Sequence, residues 1–279
     1  MQWRGRRQSD NVEDRRGNSV MRPSRRIGGV ATILLVLAGL FFGEDVQKVL
    51  SLFVGNQSQQ MPAPPATQAQ NDEAARFVST ILAETEDTWE AIFNQAGQRY
   101  QPPKLVLYER QVQSACGVNS ASSGPFYCPG DYQIYIDLSF LNDLKHMGAS
   151  GDFAFAYVIA HEVGHHIQNI TGISNDVRRQ QLRLSKIDAN LLSVKMELQA
   201  DCFAGIWINH TEKRHAILEA GDIDEGIRAA EAVGDDTIMR RAGRAPRREN
   251  FTHGSSQERI QWFQKGMKTG SIQACQTFT

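Results

Sequence analysis

Net charge of either sign is all but absent from this sequence, in which 30 lysines and arginines face 31 aspartates and glutamates for a formal total of −1. That balance gives no reason to expect nucleic acid as a partner, and it moves attention from the total to where the charges lie. Internal repeats are absent as well. Long apolar runs are scarce: a single uncharged one, Ile27 to Phe42 (IGGVATILLVLAGLFF), leaves room for one membrane crossing and no more. Cysteine is sparse, with only Cys116, Cys128, Cys202 and Cys275. The 279 residues are enough for one sizeable domain or two small ones.

Before residue 27 stand eight arginines (Arg4, Arg6, Arg7, Arg15, Arg16, Arg22, Arg25, Arg26) against Asp10, Glu13 and Asp14. As a helix the apolar run that follows spans roughly 24 Å, a little less than a bilayer core of about 30 Å, so crossing needs local thinning or extension past Gly43. A cleaved signal peptide is the competing reading, but no small-x-small site follows, because Gly43-Glu44-Asp45 leads into further amphipathic sequence. The sequence therefore predicts a cytoplasmic basic tail over 1–26 and a single transmembrane anchor over 27–43. By the positive-inside rule, the remainder is expected on the periplasmic or other extracytoplasmic side of the inner membrane. The cysteines fit that compartment, and pairing Cys116 with Cys128 and Cys202 with Cys275 is the simplest of three connectivities.

Residues 44–71 end in a Pro-, Gln- and Ala-rich stretch and read as a juxtamembrane segment and flexible linker, so the folded domain is expected over 72–279. Phe77, Ile81, Trp89, Ile92 and Phe93 recur at helical spacing until Gly97. Short strands are predicted over Lys104 to Tyr108 and Tyr132 to Leu138, with a Gly/Ser-rich loop carrying two cysteines between them. Helices are predicted over Phe153 to Ile170, Leu182 to about His210 and Ser256 to Lys268. The Gly-punctuated, increasingly basic stretch from Ala220 to Arg248 reads as a solvated surface.

The chemistry concentrates in His161-Glu162-Val163-Gly164-His165. Two histidines four residues apart on a helix share a face and can chelate one Zn²⁺, while Glu162, one position round, can reach a metal-bound water as a general base. His166 projects elsewhere and reads as a packing residue or a support to the site. A catalytic zinc needs a third ligand and an open position. Glu197 on the next long helix is the leading candidate, with Asp201 one turn on placed to accept a hydrogen bond from a ligating imidazole. His210, His215 and His253 are the alternatives.

The stretches SACG at Cys116, GPFYCPGDYQIYIDLSF at Gly124 to Phe140, AYVIAHEVGHHIQN at Ala156 to Asn169, ELQADCFAGIW at Glu197 to Trp207 and HGSSQERIQWFQKG at His253 to Gly266 together resemble the neutral zinc metallopeptidases. These are a bacterial family of single-pass membrane proteins related more distantly to the gluzincins. The resemblance implies a zincin-like α+β domain, mainly helical with a small sheet and preceded by one transmembrane helix. It also implies zinc held by His161, His165 and Glu197, with Glu162 as base and Asp201 behind the ligands. It places Thr252-His253-Gly254 and Arg259 near the active site, and a role for His253 in stabilising the oxyanion is an expectation added to it. The expected substrate is an extracytoplasmic protein or peptide, laid along the strand at Tyr132 to Leu138. A non-catalytic binding or assembly factor on the same scaffold is the second reading, which the intact Glu162 argues against, and hydrolysis of a non-peptide amide is the third. The oligomeric state is left open.

Overall fold

A computed structural model describes residues 1–17 and 66–278. Among these residues the architecture is mostly helical, as expected for the domain, with two small sheets where one was expected. Helix α1 (Ala66–Gln95) buries Phe77, Val78, Ile81, Leu82, Trp89 and Phe93, a spacing of three and four that keeps one face on the core, and Gly97 at φ 69° follows its end. The main sheet has the order β1-β2-β6-β5, built from β1 (Val12–Asp14), β2 (Lys104–Tyr108), β6 (Gln133–Asp137) and β5 (Phe126–Cys128). β1, β2 and β6 run parallel, in register Val12 with Leu105 and Leu105 with Ile134, while β5 is antiparallel to β6. The predicted Gly/Ser loop contains a hairpin of β3 (Gln111–Ser114) and β4 (Gly117–Ser120), and the Cys116–Cys128 disulfide ties it to β5.

After α2 (Phe140–His146), helix α3 (Asp152–Ile170) is apolar on every side from Phe153 to Ala160 and is buried without interruption from Phe153 to Gly164. It packs against α5 (Lys186–His215), reached through the short α4 (Ile173–Gln181), and against α6 (Asp222–Ala232). The predicted start of the long helix at Leu182 moves to Lys186, because Ser185 caps it by accepting from the Asp188 N–H. Past α7 (Asp235–Arg241), helix α8 (Ser256–Thr269) opens on a capping box between Ser255 and Glu258 and closes on Gly270. α8 lies so close to α5 that a Cβ on Gly266 would overlap the Cys202 carbonyl. The Cys202–Cys275 disulfide fastens the end of the chain to α5 across a sequence separation of 73 residues, a loop closure that stabilises by about 4 kcal/mol on chain-entropy grounds.

Several expectations are corrected. The stretch from Ala220 is not simply a solvated surface: α6 and α7 bury Asp222, Ala229, Ala230 and Asp235, and exposure is continuous only from Arg240 to Asn250. The expected linker gives way to helix at Ala66. The first residues are not a free tail. Trp3 is buried edge-on against Phe77 with ring centroids 5.2 Å apart, Arg6 Nε donates to Glu84 at 2.7 Å, and Arg7 pairs with Glu86 and Asp87 at 3.0 and 2.7 Å. Ser9 donates to Glu86, and β1 supplies an edge strand to the sheet. The described residues 1–17 and 70–278 thus fall in one compact unit. The expected cytoplasmic tail is therefore packed on the domain that the sequence places on the other side of the membrane. The expected anchor over 27–43 lies outside the described residues, and among the described ones no helix is long and apolar enough to cross a membrane.

Candidate metal centre

Helix α3 sets His161 and His165 one turn apart, their rings 4.7 Å between centroids and perpendicular at 89°. Each Nδ1 is engaged away from the cleft, His161 with Asp201 Oδ1 at 2.8 Å and His165 with Gln168 Oε1 at 2.9 Å. Both Nε2 atoms therefore turn toward Glu197 of α5, whose carboxylate oxygens lie 3.1 Å from His161 and 3.4 Å from His165. The approach of α5 depends on Gly164: a Cβ there would sit 2.9 Å from the Ala200 carbonyl oxygen and 3.0 Å from its Cα.

The donor set fits zinc. Two imidazole nitrogens and a carboxylate oxygen, all within 4.8 Å of one another, make the three-ligand pattern that leaves a position open. The electrostatics fit too. Burial works against a charged imidazole at His161, but Asp201 and Glu197 outweigh it and lift its pKa to about 9. Glu197 resists burial and is held well below the usual carboxylate range by the two histidines. Both shifts favour positive charge at the point where the three donors meet. A second acidic group, Asp152, Asp222 and Glu225, is instead occupied by the Met1 ammonium, 3.1 Å from Asp152 and 3.3 Å from Asp222.

Asp201 is fully buried and has three partners. Arg259 from α8 grips it with Nε to Oδ2 and Nη2 to Oδ1, both at 2.9 Å, and the Tyr157 hydroxyl donates to Oδ1 at 2.5 Å. Burial would raise the Asp201 pKa, yet Arg259 and His161 bring it down to about 2, so it stays an acceptor for the His161 Nδ1–H. Gln168 plays the matching part for His165. Its amide donates to the Met196 carbonyl at 2.7 Å and to Gln199 Oε1 at 3.1 Å, which turns its oxygen to the ring.

Glu162 is buried beside His161 and lines a cleft of about 1090 Å³, and its carboxylate has no hydrogen-bond partner among the described residues. Phe126 and Tyr127 of β5, Val177 of α4 and Ile238 of α7 line the same cleft, as does His253. His253 is held by Asp235. The Asp235 Oδ2 accepts from the backbone N–H groups of Thr252, His253 and Gly254 at 2.7, 2.6 and 3.0 Å, and its Oδ1 meets His253 Nδ1 at 3.3 Å. That bond to Asp235 raises the His253 pKa, against the effect of burial.

The predicted His161, Glu162, His165, Glu197 and Asp201 thus converge, and His253 joins the same cleft. The other histidines do not. His210 contacts the Gly270 carbonyl oxygen at 2.9 Å, and His215 lies 3.8 Å from Glu84. His166, as expected, serves packing: its Nε2 donates to the Gln101 carbonyl at 2.7 Å, and burial depresses its pKa to about 4. The strand at Tyr132 to Leu138 cannot receive a substrate strand, because β6 is paired on both sides, and the free edge at the cleft belongs to β5. Sequence reading missed Tyr157, Gln168 and Asp235. The first two carried a usable signal, since they stand on α3 at i−4 from His161 and i+3 from His165. Asp235 carried none, because a loop brings it to His253.

Two imidazoles of one buried helix, a carboxylate from the helix packed on it and a free glutamate beside them define a zinc-peptidase type of site. The whole-chain comparison agrees: residues 1–278 match the family described as "Putative neutral zinc metallopeptidase", and the chain belongs to it. Zinc is the cofactor of that family. A similar relative, "Uncharacterized protein YpfJ" of Escherichia coli (strain K12), is 45% identical over 287 residues, covering 100% of this chain and 99% of its own. "Uncharacterized protein Rv2575" of Mycobacterium tuberculosis (strain ATCC 25618 / H37Rv) is 37% identical over 218 residues, covering 74% of this chain and 73% of its own. No solved structure matches.

Proposed function

We propose that this protein hydrolyses internal peptide bonds in extended segments of proteins outside the cytoplasm, with zinc held by His161, His165 and Glu197. Glu162 carries the reading: an unpaired carboxylate beside three converging donors, open to a cleft, has a use in hydrolysis and none in a closed structural site. Bound there, zinc supplies Lewis acidity and lowers the pKa of the water it holds. Glu162 is placed to take a proton from the attacking water and to deliver it to the departing amine. His253, whose Nδ1 meets Asp235, offers its Nε2–H to the oxygen on which negative charge develops. The edge strand β5 accepts the substrate backbone as a further strand, a mode that reads main chain and gives broad sequence tolerance. Arg259, Tyr157 and Asp201 hold His161 in one tautomer and orientation.

The compartment reading rests on the two disulfides, which persist in oxidising surroundings. Glu162→Gln tests the chemistry. Elemental analysis is expected to find one zinc per chain in both forms, while cleavage of an unfolded protein disappears in the variant. Full turnover by zinc-loaded Glu162→Gln would overturn the assignment.

A further inference from the structure

Seven large apolar side chains are exposed among the described residues, and four of them fall within ten residues of sequence at the turn from α4 into α5. Leu182 is 81% exposed, Leu184 43%, Ile187 52% and Leu191 41%. Leaving such side chains grouped in water is unfavourable, and a grouped patch marks a surface that something apolar covers. From Arg178 to Asp188 only Gln181 is even half-buried, so the tip stands clear of the domain.

Its charges indicate what covers it. Arg178, Arg179, Arg183 and Lys186 are interleaved with the apolar residues, against Asp176 and Asp188. Asp176 is committed to Arg179 and Asp188 to the Ser185 cap, while Arg178, Arg183 and Lys186 form no ion pair among the described residues. Unpaired cations on long apolar stems around exposed leucines match a bilayer with anionic headgroups, with the aliphatic groups entering the acyl boundary and the ammonium and guanidinium groups staying at phosphate level.

We infer that the α4–α5 tip docks on an anionic lipid surface. Val177, Arg178 and Gln181 also line the catalytic cleft, so docking brings the cleft's rim to the membrane. If the proposed peptidase activity is right, its substrates are membrane-proximal stretches of polypeptide. The docking itself does not depend on that activity.

All four cysteines are paired, so a single Leu184→Cys in the full chain can carry an environment-sensitive fluorophore, with Gln98→Cys as a control on an exposed position. With vesicles of phosphatidylcholine plus phosphatidylglycerol, the tip label is expected to shift to the blue and the control label not. Pure phosphatidylcholine is expected to give a much weaker response. Arg183→Gln with Lys186→Gln in the Leu184→Cys background is expected to weaken the response roughly 30-fold, about fivefold for each cation at an anionic surface. No shift with either vesicle overturns the inference. So does a label already blue-shifted without vesicles, which means that another part of the chain covers the tip, or one that shifts with protein concentration alone, which means that a second copy does. An equal response to both lipids overturns the anionic preference.

Discussion

Asp201 accepts from Tyr157, His161 and Arg259 at once, so the carboxylate that orients a metal-binding imidazole is also one half of a buried ion pair. The two duties separate experimentally. Asp201→Asn keeps the shape but loses the charge, and zinc affinity is expected to fall about 10- to 100-fold in a chelator competition. The same change leaves the Arg259 guanidinium buried without its counter-charge, which costs about 3 kcal/mol or more. A lower melting temperature of the metal-free protein, with chelator present, is the measurement for that part.

His253 gives a pH prediction. Its bond to Asp235 raises its pKa, so the imidazolium persists to higher pH than that of an unpaired histidine and is lost as the pH rises through the raised value. The kcat/KM of zinc-loaded enzyme should therefore fall on that alkaline side. In Asp235→Asn the fall should move down toward the unperturbed pKa of about 6.5. In His253→Gln it should vanish, together with about 10² to 10³ of the rate. An alkaline limb unchanged in both variants would remove His253 from the reaction.

At the scale of elements, the site is the contact of α3 with α5, and Gly164 sets their distance. Gly164→Ala is expected to cost about 1 to 3 kcal/mol by forcing the Ala200 backbone away. Because Glu197 moves with α5, zinc affinity should drop as well, and calorimetric titration of the folded variant reads this. This architecture also explains what was legible in advance. His161 and His165 were readable because helical period alone puts them on one face, and Glu197 and Asp201 repeat the logic on the next helix. The Asp235–His253 pair was not, because no period relates residues that a loop brings together. Nor was α6, whose small buried residues Gly226, Ala229 and Ala230 leave only a faint apolar stripe. β5 was hidden inside a loop rich in turn residues, and with three residues it is too short to show alternation.

At the scale of the molecule, the decisive feature is the seating of residues 1–17 on the domain that begins after residue 65. An arginine-rich segment ahead of an apolar run ordinarily signals a chain held on the cytoplasmic side. Here Arg6 and Arg7 are matched by Glu84, Glu86 and Asp87 of α1, Trp3 fills a place against Phe77, and Val12 to Asp14 complete the sheet beside β2. Charge clustering along a sequence cannot reveal that its counter-charges wait on a helix 78 to 80 residues away. From this packing we expect both segments on one side of any membrane the protein meets. Gln8→Cys and Gln98→Cys, both exposed, test this one at a time, since every native cysteine is in a disulfide. A membrane-impermeant maleimide applied to intact spheroplasts is expected to label both positions or neither, and permeabilised cells to label both. Labelling of Gln98→Cys alone would mean that the first residues sit across the membrane from the domain, and that the docked arrangement is not the one in the cell.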